Sequence, residues 1–293
     1  MSITEQIQES LDHILVPGVR RSLTQMNLVK SVEVNNEELH IDLWAAALTD
    51  QSQKWLQSKV EETMLDIRGV EKVSVNFVDS KPAEINRITR AIAVMSGKGG
   101  VGKSLLAGLI ALSLSREGYQ VGILDADITG PSIPKMFGLS EHPAGNNGGI
   151  LPVLSKTGIE IMSMNLLLPD EEEAVIWRGP LMAKAIIQFW EEVLWGNLDY
   201  LIIDVPPGTG DIPLTLMQTI PLTGVIDIFT PQDLTEMIVM KAIKMAEKLN
   251  VKVLGVIENM SYLTTSTNQK IEVFGRSKGE EMARNSGAPL LGK

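Results

Sequence analysis

The sequence predicts an α/β protein in which a parallel sheet carries helices on both faces, preceded by a small α+β unit. Three observations lead there. From about residue 90, short apolar runs such as "AIAVMS", "QVGILDAD", "LDYLIIDVPP", "GVIDIFTPQ" and "VKVLGVIENM" recur, with helical stretches between them. Strands that are apolar throughout are buried on both faces, and alternation of strand with helix makes their sheet parallel. The glycine-rich "SGKGGVGKS", Ser96 to Ser104, sits where the first of these strands hands over to a helix. Residues 1–80 differ in texture, with two alternating runs joined by a polar turn.

Taken in order, "TEQIQESLDHI" has helical spacing of apolar residues, and "LVKSVEVNNEELHIDLWAA" is a hairpin turning at Asn35–Asn36. "DQSQKWLQSKVEETMLDI" is helical with Asp50 as its N-cap, and "GVEKVSVNFV" alternates Val73, Val75 and Phe77 as a half-buried strand. Residues 81–90, within and just after the polar "DSKPAEINRI", read as a linker to the large domain, 91–293. There "LLAGLIALSLSREG" and "LTEMIVMKAIKMAEKLN" are helices. "EHPAGNNGGILP" (141–152) reads as a flexible connection, and "LPDEEEAV" (168–175) as an acidic surface loop. Trp177 and Arg178 fit either a partner surface or a packed Trp with its Arg reaching to solvent.

Composition narrows the function. The chain has 293 residues, no cysteine, three scattered histidines (His13, His40, His142) and a net charge of −10. Disulfides, thiol catalysis and cysteine-ligated metal are excluded within the chain. Lys and Arg form no dense run, aromatic residues make up only 4%, and "GVRRS" (18–22) reads as a solvated turn, so nucleic acid is not an expected partner. No apolar run is long enough to span a membrane, and "MSITEQIQES" lacks a signal peptide's apolar core. The cytoplasm is the expected compartment.

Gly97 to Ser104 fits G-x-x-x-x-G-K-[ST] between a strand and a helix, the context a phosphate loop requires. Gly97, Gly99, Gly100 and Gly102 let backbone N–H groups converge on phosphate oxygens, and the helix N-terminus adds its dipole. Lys103 is placed to reach the β- and γ-phosphates of a nucleotide, and Ser104 to ligate Mg²⁺. Val101 and Leu105 complete the expected cofactor-binding stretch. Asp204 ends the strand of "LIIDVPPGTGD", where a carboxylate can hold Mg²⁺, with Gly208 and Gly210 in the following loop. Asp125 and Asp127 of "ILDADITGPS" lie two apart on an extended segment, one suited to the metal shell and one to the attacking water. Lys98 is a second lysine where a phosphate loop needs one. It could be solvated, contact its own nucleotide, or reach the phosphates of a partner subunit; sterics favour the last, because the loop wraps phosphate with its backbone and sends a long side chain outward.

"KGGVGKS" with its extra lysine resembles the deviant Walker A group of P-loop ATPases. More narrowly, "LDADITGPSIPKMFGL", "WRGPLMAKAIIQF", "LDYLIIDVPPGTGD", "TPQDLTEMIVMKAI" and "VLGVIENMSYL" resemble the Mrp/ApbC iron–sulfur cluster carrier family over nearly all of residues 90–293. The first 80 residues resemble the MIP18-type (DUF59) domain that often precedes that ATPase. The resemblance implies slow ATP hydrolysis with Mg²⁺ by a homodimer that faces across two ATP sites. In it Lys98 acts in trans, Asp127 orients water, Asp125 joins Ser104 and Asp204 at the metal, Asn259 contacts the adenine, and Pro231 and Gln232 lie near the base. Iron–sulfur apo-proteins or assembly factors are the implied clients.

The departures from the family carry equal weight. Its Cys-x-x-Cys after "ENMSY" maps here to Thr264 or Thr265 and to Thr267 or Asn268. Hydroxyls and an amide cannot replace thiolates as iron–sulfur ligands, so no cluster is expected on this chain itself. In the small domain Val16 precedes Pro17 where the family has Asp, and "ALTDQSQKW" lacks the family's cysteine. Leu105 stands where Thr is commoner. "GAPLLGK" resembles the family's penultimate strand, after which a further stretch is expected. Two other readings remain open: a nucleotide-switched scaffold without metal, and a partition-type positioning ATPase.

Overall fold

The computed structural model describes residues 2–80, 85–127, 130, 132–167, 179–232 and 235–293. The acidic stretch 168–175, Trp177 and Arg178, and residues 81–84 of the expected linker lie outside the described residues.

The small domain consists of α1 (Ile3–His13), β1 (Val29–Asn35), β2 (Glu38–Trp44), α2 (Asp50–Leu65) and β3 (Lys72–Val78). Ser2 and Glu5 close a reciprocal capping box at the start of α1. The expected N-cap of α2 moves back one residue: Thr49 accepts from the Ser52 amide, and Asp50 is the first helical residue. β1 and β2 form the expected hairpin, with Asn36 in the left-handed region at φ 56°. β2 then pairs parallel to β3. Leu39, Ile41 and Leu43 of β2 close on Leu56, Val60 and Met64 of α2, so two periodicities meet in one core.

The large domain comprises β4 (Arg87–Met95), α3 (Lys103–Arg116), β5 (Val121–Asp125), α4 (Ile133–Met136), β6 (Gly145–Asn146), β7 (Gly149–Ile150), β8 (Val153–Leu154), β9 (Glu160–Ser163), α5 (Gly179–Glu192), β10 (Asn197–Asp204), α6 (Asp211–Thr219), β11 (Gly224–Phe229), α7 (Thr235–Lys248), β12 (Val253–Glu258), β13 (Leu263–Thr264), β14 (Lys270–Ile271), α8 (Gly279–Ser286) and β15 (Leu290–Gly292). Eight strands form one sheet in the order β15-β12-β11-β4-β10-β5-β9-β8. Every neighbouring pair is parallel except β8 with β9. One face of the sheet packs Ile92, Val94, Ile123 and Ile202 against Ala107 and Ala111 of α3. The other packs Ala93, Leu201 and Ile203 against Ile186 and Phe189 of α5 and Leu216 of α6. The strand-and-helix sandwich expected from the sequence is therefore the observed architecture.

Two expectations fail where the domains meet. Residues 141–152, read as a flexible connection, contain the β6–β7 hairpin, which docks on the small domain. Asn146 accepts from the Ala47 amide at 3.1 Å and donates to the carbonyls of Ala45 and Leu48 at 2.8 and 2.9 Å. A Gly- and Asn-rich strand shows no apolar period, because side chain–backbone bonds hold it rather than a packed face. "GVRRS" is not wholly a solvated turn either. Arg20 is exposed, but Arg21 is 5% exposed and bonds Glu160 at the start of β9 at 2.8 Å. Burial drives the Glu160 carboxyl up to about 7 against the lowering pull of Arg21. Gly196 is required here: its φ is +61°, and a Cβ would lie 2.6 Å from the Gln25 carbonyl.

Asp227 is the other anomaly. It lies in the middle of β11, fully buried, and neither carboxylate oxygen has a hydrogen-bond partner among the described residues. Desolvation holds its pKa well above the ordinary value.

Truncating Arg21 to Ala strands a buried carboxylate and should cost about 3–5 kcal/mol in urea unfolding. Asp227→Val should instead stabilise the chain by about 1–3 kcal/mol, the cost of an unbonded buried polar group. Because the folded pKa of Asp227 is raised, its native form is favoured below the unfolded pKa and penalised as pH rises. The gain from Asp227→Val should therefore be larger at pH 8 than at pH 4, and a gain independent of pH would contradict it.

Candidate functional site

The site lies at the carboxyl ends of β4, β5, β10 and β11, where an open parallel sheet gathers its loops. β4 runs into the glycine loop, and Gly100 and Gly102 take φ of 79° and 86°, a region that favours glycine. Gly102 is also the N-cap of α3 and, lacking a side chain, makes no side-chain cap bond to that helix. The first amides are the donors a helix leaves unsatisfied, and they carry the positive end of its dipole. A Cβ on Gly102 would collide with Asn259 Nδ2. The amide of Asn259 donates to the Val101 carbonyl at 2.8 Å, which locks the loop after β12 onto the phosphate loop. Ser96 accepts from the Gly208 amide at 2.8 Å through its carbonyl, which ties in the loop after β10.

Charge concentrates behind this loop. Lys103 is 6% exposed, and its ammonium lies 2.5 Å from Asp204 Oδ1 and 3.4 Å from Asp127 Oδ2. Asp125 and Asp204 are register partners on adjacent strands, so two buried carboxylates stand side by side. Burial first, and then the charge of Asp204, push Asp125 up to about 8. Its oxygens receive the Asp127 amide and the Ser163 hydroxyl, each at 3.2 Å. Desolvation raises Asp204 as well, opposed by Lys103 and by the nearby Ser104 hydroxyl, and its second oxygen, Oδ2, is buried without a well-formed hydrogen bond among the described residues. Ser104 is half-buried, its hydroxyl 3.4 Å from Lys103 Nζ.

The structure thus brings Gly97, Gly99, Gly100, Val101, Gly102, Lys103, Ser104, Asp125, Asp127, Asp204 and Asn259 to one cleft. Val101 contributes by packing, at 1% exposed, while Leu105 turns its side chain outward at 52%. Lys98 has a partner in its own chain: it donates to Gln232 in the loop after β11, next to buried Pro231. β11 neighbours β4 in the sheet, which is why these two loops meet. Among the described residues no three His, Asp or Glu side chains converge as a metal cage. A magnesium site needs no such cage, since Mg²⁺ takes one or two protein oxygens and fills the rest with phosphate and water. The unsatisfied Asp204 oxygen beside the Ser104 hydroxyl fits that pattern.

Thr264 or Thr265 and Thr267 or Asn268, where the resemblance would place two cysteines, fall on the β13–β14 hairpin. Thr265 and Thr267 bond hydroxyl to hydroxyl at 3.0 Å, and Asn268 donates its amide to the Thr265 carbonyl at 3.0 Å. Sequence reading missed Ser163 and Glu160 altogether. The only available signal was "GIEIMSMN", an apolar run with two polar interruptions.

Residues 87–293 match a family described as NUBPL iron-transfer P-loop NTPase, and residues 4–77 match one described as iron–sulfur cluster assembly protein. The iron–sulfur cluster carrier protein of Rickettsia felis is 40% identical over 98% of this chain and 88% of its own. That of Clostridium perfringens is 46% identical over 73% of this chain and 80% of its own. A solved nucleotide-binding protein from Archaeoglobus fulgidus, in complex with ADP, is 44% identical, covers 70% of this chain and 81% of that one, and superposes with a TM-score of 0.62.

Gly102→Ala should lower ADP affinity by at least tenfold in a fluorescent-nucleotide titration. The left-handed penalty alone is about 1–2 kcal/mol, and displacement of Asn259 adds to it. Affinity equal to wild type would mean that the loop does not hold phosphate in this conformation.

Proposed function

The chain belongs to the iron–sulfur cluster carrier family of P-loop NTPases, and on that premise we propose that it binds and hydrolyses Mg²⁺-ATP as a homodimer and serves cluster assembly without ligating a cluster itself. The observation that carries the reading is the Lys103 ammonium, buried between Asp204 and Asp127 behind an uncapped helix start. Phosphate oxygens would meet the amides of the glycine loop and of the start of α3, and Lys103 would share its charge with them. Ser104 and Asp204, supported by Asp125, are the groups placed to hold Mg²⁺, which when bound would neutralise charge on the transferred phosphoryl group. Asp127 accepts a hydrogen bond from the attacking water and so aims its oxygen at the γ-phosphorus. As that bond forms, the bridge to the β-phosphate breaks, giving ADP and inorganic phosphate. Asn259, with Pro231 and Gln232, borders the region assigned to the base.

Partnership with a second copy rests on Lys98. Its ammonium sits at the rim, bonded to the exposed side chain of Gln232 rather than to a buried carboxylate, and could exchange that neutral partner for phosphate across a dimer. The lack of thiols supports a role in handling clients rather than holding a cluster, and a nucleotide-switched scaffold without metal is the second reading. The described helices include none long and apolar enough to cross a membrane; cytoplasmic work with protein clients, and neither nucleic acid nor lipid, completes the proposal.

Lys98→Ala should abolish ATP-dependent dimerisation in light scattering and reduce hydrolysis by about 10³-fold or more, the scale of a missing finger cation. Its monomer should keep ADP affinity within about threefold. Unchanged hydrolysis would remove the trans role. Anaerobic incubation with iron and sulfide should leave the chain colourless, whereas stoichiometric iron with a charge-transfer band would overturn the cluster-free reading.

A further inference from the structure

The small domain meets the large one at the end of the sheet opposite the phosphate loop. Gln25 and Asn27 bond to Asn197 and Ile85, where β10 and β4 begin. Asp204 ends β10, about 23 Å further on at 3.3 Å per residue. A shorter route runs through β9. Glu160 opens this four-residue strand and Ser163 closes it, about 10 Å apart. Side chains alternate, so Glu160 lies on the face that holds Trp195, while Ser163 lies with Asp125 on the face of the phosphate loop.

We propose that Arg21 is a positioning residue for the nucleotide site. It pins Glu160 at the foot of β9, and Ser163 at the head of the same strand orients the Asp125 carboxylate. The inference rests on the Mg²⁺-nucleotide reading given above.

Three features support the link. Arg21 engages four oxygens: Glu160 Oε1 at 2.8 Å and the carbonyls of Trp195, Gln25 and Asn197 at 3.0, 3.4 and 2.5 Å. One guanidinium therefore fixes the feet of both β9 and β10. Second, β9 is poorly held on its outer side. β8 pairs only with Glu160 and Ile161, so Met162 and Ser163 have a ladder on the β5 side alone. The head of the strand depends on β5 and on the anchor at its foot. Third, all four residues of β9 are buried, and a close-packed interior passes a displacement along rather than absorbing it. Asp125 has two donors to orient it. One is the Asp127 amide, local to its own loop, and the other is Ser163, which comes from β9.

The test uses the full chain. Ser163→Ala removes the hydroxyl without touching the domain interface, and Ser163→Thr keeps it. Arg21→Met combined with Glu160→Met removes the clamp and leaves no unpaired buried charge. Amide hydrogen exchange without nucleotide should rise in the double variant over residues 160–163 and 124–127, with β12 unchanged. The gain in ADP affinity that Mg²⁺ confers over EDTA should fall about tenfold in the double variant and in Ser163→Ala. It should stay at the wild-type value in Ser163→Thr, and combining the clamp and serine changes should add little further loss. ADP affinity in EDTA should not move. Exchange that rises at 160–163 but not at 124–127, or that rises equally in β12, would overturn the link. So would a normal Mg²⁺ gain in the double variant. A wild-type chain that binds no ADP would defeat the nucleotide reading instead, and the exchange data would still decide whether β9 joins the two ends.

Discussion

One buried ammonium organises the carboxyl end of this sheet. Asp125 and Asp204 are register partners, and Asp127 follows two residues on, so three acids crowd a region with little water. Burial first, and then the charge of Asp204, raise the pKa of Asp125. Lys103 offsets them, bonded to both Asp204 and Asp127. Such an arrangement is costly for folding, since desolvation of several charges can exceed their attraction. It is well suited to a ligand that brings both anionic oxygens and a divalent cation, because that ligand satisfies the lysine and the acids together.

The glycine loop follows from the same constraint. Lys103 can reach inward only if α3 starts beside β4, and that close turn requires φ near +80° at Gly100 and Gly102. Asn259 then packs against Gly102 where any Cβ would collide. Glu258, the residue before it, is fully buried and receives Ser261, Ser277 and the Lys278 amide. That network braces the loop after β12 from below, so the contact between Asn259 and the phosphate loop is rigid at both ends.

Local chemistry was legible in the sequence, and distant pairing was not. Gly97 to Ser104 could be read because the motif, its strand and its helix are contiguous. Asp125 and Asp204 could be read because each ends an apolar strand, and Asp127 because it follows Asp125 by two residues. Arg21 could not, since its partner is 139 residues away and a double arginine in a turn has the pattern of a solvated one. The β6–β7 hairpin was read as flexible because its order comes from Asn146 bonding backbone across the domain boundary, which leaves no hydrophobic period. Glu160 and Ser163 look like interruptions of an apolar strand; each is explained only by a residue on another element. Asp227 is one polar residue in an apolar run, and that it has no partner among the described residues appears only once β11 is placed in the middle of a sheet.

Absence of cysteine bears differently on the two ends of the chain. At the β13–β14 hairpin the positions where the resemblance would place thiolates are exposed or half-buried and bonded among themselves, hydroxyl to hydroxyl and amide to carbonyl. Hydroxyl and amide oxygens are hard donors, poorly matched to the soft iron–sulfur centres that thiolates hold. At the phosphate loop the Lys103 ammonium, the Ser104 hydroxyl and the Asp125, Asp127 and Asp204 carboxylates lie together at the carboxyl end of the sheet. A chain under no constraint at this second site would have no reason to keep three buried acids and a buried lysine, which cost stability unless something binds there. That cost is the physical reason to place ligand chemistry at the carboxyl end of the sheet rather than at the β13–β14 hairpin.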